Sequence, residues 1–377
     1  MTGACRLPYP EIWGISEKAE FFNMATNNRT KKKSPSQRSL WIKRILVVLC
    51  ALIAGVAVYL SYRVFGPNTR AIKDDKYFYV RTGSTYDDVL SGLEEQEVIR
   101  NRKSFDWVAR ELDYPSRVKA GRYKIDRGMS NFEIVKLLRS GRQTPVKLVI
   151  NRLRTKDDLV RKISLNLEAD STALRALMAD QVYLRQFGLD SSTVMCAVVP
   201  NTYEYYWNTS AESVFKKLEN ARDDFWTDVR KEKARRLGLS KNQVTIIASI
   251  VEEETNKNDE KPLISSVYLN RLKKGMRLQA DPTVKFALQD FGLKRIRQNH
   301  TLFDSPYNTY RYAGMPPGPI CTPSVKSLDA VLNTPETDYI YFCARSDFSG
   351  YHAFAATYAE HMINARLYQT ALNNMGY

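Results

Sequence analysis

A chain of 377 residues, 44% of them hydrophobic, is long enough to bury a sizeable core and to form two or three domains. Its formal net charge of +16 suits an anionic polymer or a membrane surface. The basic residues form no stripe interleaved with aromatic residues, which argues against nucleic-acid binding. The five cysteines include no CxxC pair and there are only three histidines, so we expect no metal, no cofactor and no disulfide framework.

The first 62 residues predict a membrane anchor. Residues 1–44 are polar and basic and are expected to be a disordered cytoplasmic tail, in which Met24 is an alternative start. Residues 45–62 are apolar and approach the roughly 20 residues that span a bilayer as a helix. The basic flank predicts a cytoplasmic N-terminus, with the body of a single-pass inner-membrane protein on the periplasmic side. A cleaved signal peptide is the alternative, but the flank is long for one.

A linker at 63–75 leads into a module at 76–150 that alternates strands and helices. Thr85 and Asp88 can cap a helix that ends near residue 96. Together with it, a strand at 77–80, a helix at 104–112 and a strand at 121–125 give the strand–helix–helix–strand order of small glycan-binding LysM modules.

The next unit of the module repeats these signals. Ser130 and Glu133 form a capping box before a helix at 132–139, and Gly141 stops that helix. A strand at 146–150 follows, and Thr155 opens another helix. Residues 151–377 then predict a mixed α/β domain. Its expected elements are single helices at 171–189 and 211–237, an aromatic loop at 200–207, a helix at 262–274, a strand-like alternation at 276–283, a strand pair at 339–344 and 351–354, and a helix at 358–373.

The stretch that ends in three glutamates is the strongest candidate for chemistry. Val244, Ile247 and Val251 share one face of a helix, and Glu254 continues that face. Desolvation at the end of an apolar stripe raises the pKa of a carboxyl group, so Glu254 could hold a proton near neutral pH and donate it. Glu252 and Glu253 are expected to point toward solvent. The alternative is a helix end with three solvated glutamates.

Five ordered motifs resemble those of the endolytic murein transglycosylases, the YceG-like proteins. The resemblance covers about residues 70–377. The motifs are Ala-Ser-Ile-Val-Glu-Glu-Glu-Thr at 248–255, Val-Tyr-Leu-Asn-Arg-Leu at 267–272, Gly-Met-Arg-Leu-Gln-Ala-Asp-Pro-Thr-Val at 275–284, Tyr-Asn-Thr-Tyr at 307–310 and Gly-Met-Pro-Pro-Gly-Pro-Ile at 314–320.

The resemblance implies a specific activity. The family cuts the glycan strands of peptidoglycan without water and leaves a 1,6-anhydro-muramic end, and its essential glutamate aligns with Glu254. Its LysM-like part corresponds to about 76–125, and wall-synthesis enzymes are implied as partners. Two departures stand out: no Glu-Gly pair precedes Pro200, and Ala355 stands where relatives can have Asn or Ser.

Six further polar residues are candidates for substrate binding. Gln279, Asn308 and Tyr310 could hydrogen-bond sugar or N-acetyl groups, and Asp281 could orient Arg271 or a loop. Asn270 projects a polar group from a helix side that begins apolar. A structural role for each is equally compatible with the sequence, because buried polar groups near turns usually satisfy backbone groups.

The sequence therefore predicts an α+β protein: a transmembrane helix, a LysM-like βααβ module and a mixed α/β catalytic domain at 151–377. A lytic transglycosylase needs one carboxyl group, here Glu254, as acid and then base. Lys257 would oppose this role if it paired with Glu254. Two alternatives stay open: a hydrolase in which Asp281 activates water, and a wall-binding scaffold without catalysis.

Overall fold

The computed structural model describes residues 37–69 and 77–375. Residues 1–36 of the tail expected to be disordered and residues 70–75 of the expected linker lie outside these ranges. The predictions for 37–44 and 63–65 were wrong, because both stretches belong to one helix with the apolar segment. The chain divides into two compact units, Met1–Leu60 and Ser61–Tyr377. The described part of the first unit belongs to helix α1 (Gln37–Phe65), which ends in the second unit.

Helix α1 contains the predicted anchor. Within the described ranges it is the one helix long and apolar enough to cross a membrane, over Leu40–Phe65. Its apolar side chains are exposed along this stretch, among them Leu46, Ile53 and Val58. A single span is compatible with this helix, and the location and orientation of the protein stay predictions.

The N-terminal part of the second unit has the expected strand–helix–helix–strand order. Strand β1 (Tyr77–Val80) pairs antiparallel with β2 (Gly121–Lys124), and between them lie α2 (Tyr86–Glu95) and α3 (Arg102–Glu111). Helix α4 (Asn131–Ser140) follows and shares their core. Both predicted capping boxes form, at Thr85–Asp88 and at Ser130–Glu133, because they depend only on neighbouring residues.

A second core lies around one antiparallel strand pair, β3 (Val146–Ile150) and β4 (Asn201–Tyr205). The prediction of an aromatic loop at 200–207 was wrong. Tyr203 and Tyr205 are buried while Thr202 and Glu204 are exposed, so the aromatic residues are the inward positions of a strand. Around the pair pack α5 (Lys156–Ser164), α6 (Ser171–Ala179), α7 (Gln181–Arg185) and α8 (Ala211–Phe225).

Two helices that the sequence predicts as continuous are broken. Asp180 ends α6 and accepts hydrogen bonds from the backbone amides of Val182 and Tyr183, so it starts α7 as an N-cap. Thr227 likewise caps α9 (Asp228–Arg236) after α8, and the buried Trp226 lies at the break.

The third core is built around α10 (Lys241–Glu254). Eight consecutive residues, 244–251, are buried, so the helix is enclosed on all sides. Helices α11 (Lys261–Lys273), α12 (Asp281–Leu288) and α14 (Val325–Leu332) pack on it. The short α13 (Gln298–Thr301), the antiparallel pair β5 (Tyr341–Ala344) and β6 (His352–Ala355), and α15 (Tyr358–Asn374) complete this part.

The strand-like alternation at 276–283 does not form a strand. Residues 276–280 are irregular, and α12 begins at Asp281 because Pro282 suits the first turn of a helix. Asp281 therefore lies at a helix start beside the end of α11, while Glu254 ends α10. This arrangement brings the predicted site residues of three helices to one region.

Candidate functional site: a cleft at the end of helix α10

Glu254 lines a cleft of about 230 Å³. Larger cavities lie on the N-terminal module and along residues 293–300. The cleft at Glu254 is the candidate site because of the residues that line it, not because of its size. The cleft gathers residues from α10, α11, the start of α12, the loop before α14 and the β5–β6 pair. Its lining residues are Glu254, Tyr268, Arg271, Leu278, Gln279, Asp281, Tyr310, Phe342, Cys343, Ala344 and His352.

The carboxyl group of Glu254 is held by a tyrosine from the neighbouring helix. The phenol of Tyr268, which is almost fully buried, donates a hydrogen bond of 2.6 Å to Oε1 of Glu254. The pKa of Glu254 is raised to about 7, mainly by desolvation and to a smaller extent by the negative charge of Asp281, while the Tyr268 hydrogen bond opposes the shift. Glu254 is therefore poised between proton donor and proton acceptor near neutral pH.

A second tyrosine–carboxylate pair lies in the same cleft. The phenol of Tyr310 donates a hydrogen bond of 2.6 Å to Oδ1 of Asp281. Burial and this hydrogen bond raise the pKa of Tyr310, so the phenol stays protonated at neutral pH. Asp281 remains exposed to solvent, in contrast to the partly buried Glu254.

Arg271 lines the cleft but is not oriented by Asp281. Its Nε donates to the carbonyl of Ile340 and its Nη1 to the carbonyl of Leu278, both at 2.7 Å. Backbone carbonyls fix the guanidinium, so of the two roles expected for Asp281 the structure favours the orientation of a loop, through Tyr310, over that of Arg271. Gln279 is exposed at the rim, with a φ of 52° in the left-handed region and its Oε1 3.4 Å from Arg271 Nη1. Such a φ is uncommon outside glycine and marks local strain at the site.

Two of the predicted substrate-binding residues are committed to the backbone outside the cleft. The amide of Asn270 donates to the carbonyls of Thr337 and Tyr339 at 2.7 and 3.0 Å. Asn308 is fully buried, and its amide donates to the carbonyls of Thr301 and Phe303. Both side chains hold loops in place, so the structure gives neither an open face toward a sugar.

Glu252 and Glu253 do not point toward solvent as the sequence suggested. Glu252 forms an ion pair of 2.9 Å with the buried Lys261 and accepts hydrogen bonds from two serine hydroxyls. Glu253 pairs with Arg154 at 3.0 Å and with Arg152 at 3.4 Å. Both carboxylates bind elements outside the cleft, which leaves Glu254 as the glutamate of this run that faces it.

Lys257 is engaged elsewhere. Its Nζ lies 4.8 Å from the ring centroid of Tyr351, and within the described ranges it forms no ion pair with Glu254. Lys257 therefore does not form the pair with Glu254 that would oppose acid catalysis.

Two functional candidates were missed from the sequence. Tyr268 lies three residues before Arg271 on α11, so the two side chains share a helix face. This spacing, next to a candidate site residue, was the sequence pattern that could have identified Tyr268. His352 comes from β6, and its Nδ1 lies 2.8 Å from Oε2 of the buried Glu260, which also accepts the backbone amide of His352. No local pattern joins residues 92 positions apart, so only the fold reveals this pair.

No group of three or more His, Cys, Asp or Glu side chains within residues 37–69 and 77–375 is arranged to hold a metal ion. The chemistry that this cleft can perform is proton transfer at a polar, partly closed site.

Comparison with known proteins identifies the family of this chain. The model of the YceG-like family matches residues 78–367. The endolytic murein transglycosylase of Bacillus subtilis strain 168 is 27% identical over 326 residues, which are 82% of this chain and 89% of that protein. The protein of that name from Streptococcus pneumoniae serotype 2 strain D39 is 26% identical over 338 residues; the alignment covers 79% of this chain but only 60% of that protein.

A solved structure is also similar. The crystal structure of a yceG-like protein from Listeria monocytogenes matches with a TM-score of 0.50 and 28% identity, over 78% of this chain and 99% of that one. The chain belongs to the YceG-like family. It is an enzyme of the lytic transglycosylase class, as the names of its relatives indicate. The predicted family and enzyme class are thereby confirmed.

Proposed function

We propose that the protein is a membrane-anchored endolytic transglycosylase that cleaves the MurNAc–GlcNAc strands of peptidoglycan and leaves 1,6-anhydro-MurNAc ends. The observation that carries this proposal is the carboxyl group of Glu254, which lies in a cleft with its pKa raised to about 7 and one oxygen held by Tyr268. The relatives named endolytic murein transglycosylase supply the substrate class.

Glu254 acts twice in the proposed reaction. Protonated on Oε2, it donates its proton to the glycosidic oxygen as the bond from that oxygen to C1 of MurNAc breaks. The resulting carboxylate then takes the proton from the C6 hydroxyl, whose oxygen bonds to C1 and closes the anhydro ring. The acid is regenerated and no water is consumed. Tyr268 keeps its hydrogen bond to Oε1 throughout, so Oε2 stays directed at the substrate.

The rest of the cleft positions the sugar in this proposal. Tyr310, Gln279 and the edge of Arg271 lie on the lining where hydroxyl and N-acetyl groups would pass. Asn270 and Asn308 serve the site indirectly through the loops that they hold. His352, fixed by Glu260, adds a ring nitrogen on the β6 side.

The N-terminal parts complete the proposal. Residues 45–62 anchor the chain in the inner membrane, with the tail 1–44 cytoplasmic and residues 76–377 periplasmic. The strand–helix–helix–strand unit at 76–125 is a LysM-like glycan-binding module, and the catalytic domain spans 151–377. Its proposed role is wall synthesis and remodelling, with wall-synthesis enzymes as partners.

One observation favours a second candidate function, hydrolysis. Asp281 is an exposed carboxylate in the same cleft as Glu254, with one oxygen held by Tyr310, so it could activate a water molecule as a second catalytic carboxylate. The non-catalytic scaffold is the remaining alternative, and it gives Glu254 no role.

Mass spectrometry of products separates these functions. We would incubate the full chain in detergent with uncrosslinked glycan strands, beside Glu254→Gln and the matched control Glu253→Gln, whose side chain faces Arg152 and Arg154. We expect anhydro ends from the wild type and the control, and none from Glu254→Gln. Products one water heavier would establish hydrolysis. Glycan binding without cleavage by any of the three proteins would establish the scaffold.

A further inference from the structure

A groove of about 530 Å³ lies on the N-terminal module, away from the chemistry at Glu254. Its floor is apolar and consists of the half-buried side chains of Leu112, Val118 and Phe132. This volume falls in the range of about 300–1,000 Å³ that is usual for ligand sites. We call this feature the basic groove because of the residues at its rim.

Four cationic side chains form the rim: Arg117, Lys119, Lys136 and Arg139. No acidic residue lines the groove within the described residues. Arg117 forms an ion pair of 3.1 Å with Asp113, which lies outside the groove lining. Both side chains are exposed, so this ion pair contributes little stabilisation and neutralises the rim only weakly. The rim therefore carries an excess of positive charge over an apolar floor.

The basic groove lies beside the end of the apolar helix. The rings of Phe65 and Phe132 are 5.5 Å apart, so the last residue of α1 packs on a residue of the groove floor. The amide of Asn131, next to Phe132, donates a hydrogen bond of 2.8 Å to the carbonyl of Arg63. Both contacts lie within the second unit and fix the groove close to where the apolar segment Leu40–Phe65 ends.

We propose that the basic groove binds the headgroup of an anionic phospholipid from the membrane that holds α1. The lysine and arginine rim would bind the lipid phosphate through charge-assisted hydrogen bonds, and the apolar floor would contact the glycerol and the first acyl carbons. A free phosphate would leave the floor unused, and a neutral sugar would leave the rim unused. The inference rests on the membrane anchoring proposed above and is independent of the reaction at Glu254.

The functional consequence is that the module is held against the membrane surface. A lipid in the groove would add an attachment point beside the helix and restrict rotation of the module about it. Screening by salt should weaken this attachment, because the rim side chains are largely exposed.

The test uses the full chain in nanodiscs of phosphatidylcholine and phosphatidylglycerol at about seven to three. Native mass spectrometry after release into mild detergent gives the ratio of bound anionic to bound neutral lipid. Two double variants are compared with wild type. The groove variant carries Lys136→Glu and Arg139→Glu. The matched control carries Lys103→Glu and Arg127→Glu, which make the same charge change at exposed residues outside the groove. Circular dichroism checks that each variant is folded.

We expect wild type and control to retain the anionic lipid preferentially. The groove variant should lose that preference by about 25-fold or more, at roughly fivefold for each of the two rim charges removed. Equal retention of both lipids by wild type, or equal loss in both variants, would overturn the proposal. Preference for a soluble poly(glycerol phosphate) over the lipid would assign the groove to a polymer and also overturn it. A chain that fails to enter the nanodiscs would refute the anchoring instead.

Discussion

The phenol of Tyr268 and the carboxyl group of Glu254 share a hydrogen bond of 2.6 Å between two packed helices. The bond fixes one carboxyl oxygen and leaves the other for the substrate. It also lowers the pKa of Glu254 against the larger effect of desolvation. Tyr268 therefore adjusts the strength of the acid without itself exchanging the proton.

Removal of the Tyr268 hydroxyl should move the pH profile. In Tyr268→Phe the hydrogen bond that lowers the pKa of Glu254 is lost, so the pKa rises and the protonated acid persists to higher pH. We expect the alkaline limb of kcat/KM for anhydro-product release to shift to higher pH. Tyr310→Phe is the control, because its phenol binds Asp281 rather than Glu254. An alkaline limb unchanged in Tyr268→Phe, or equally shifted in the control, would contradict this assignment.

Neutralisation of Asp281 should have the opposite effect. Asp281→Asn removes a negative charge that raises the pKa of Glu254, while the amide oxygen can still accept the hydrogen bond of Tyr310. We expect the alkaline limb to move to lower pH and the anhydro product to persist. A rate reduced by about a hundredfold or more at every pH, together with loss of a hydrolytic product, would show that Asp281 is a catalytic base.

The stability of the protein should depend on pH through Glu254. The folded-state pKa of about 7 is above the ordinary value of 4.5, so this group stabilises the fold fully below pH 4.5 and the contribution is lost as the pH rises through 7. Relative to wild type, Glu254→Gln should gain at most about 3 kcal/mol in unfolding free energy between pH 4.5 and pH 8. Urea unfolding of both full chains across this range measures the difference. A difference that is constant with pH would refute the raised pKa.

The buried ion pair between Lys261 and Glu252 should be needed for stability rather than for catalysis. Lys261→Met leaves the largely covered carboxylate of Glu252 with only serine hydroxyls as partners, so we expect a loss of about 3 kcal/mol in unfolding free energy. Lys257→Met, which removes only a cation–π contact with Tyr351, should cost less than about 1 kcal/mol. Chemical unfolding followed by tryptophan fluorescence compares the two. Equal losses would show that the ion pair has no special role.

Asn308 should act as a loop support and not as a sugar contact. Asn308→Ala leaves the carbonyls of Thr301 and Phe303 without their donor, which should cost about 1–3 kcal/mol. The KM per folded molecule should change less than about threefold. The opposite result, unchanged stability with a tenfold higher KM for glycan strands, would restore the direct role that the motif suggested.

Local patterns in the sequence predict local structure well in this protein. The capping boxes at Thr85 and Ser130, the stop at Gly141 and the strand at Val146–Ile150 are all observed, because each depends on residues within a few positions. The apolar stripe of α10 correctly places Glu254 at the edge of a core. The same reasoning fails for Glu252, whose partner Lys261 comes from another helix.

Features that depend on distant pairing could not be predicted. The aromatic residues of β4 become a strand only through β3, about fifty residues earlier. The breaks at Asp180 and Thr227 are different, because each coincides with an N-cap residue that the sequence analysis did not use as a helix boundary. In the cleft, Tyr268 and His352 act through partners that only the tertiary structure brings within hydrogen-bond distance.

Glu254 is the last residue of α10. The peptide dipoles of a helix place partial negative charge at this end, where a carboxylate is disfavoured and a neutral acid is not. A glutamate in the first turn of the same helix would experience the reverse field and would ionise more readily. The direction in which α10 runs through the core thus favours the proton-bearing form of the acid, and a relocated acid in a redesigned cleft would have to keep this polarity.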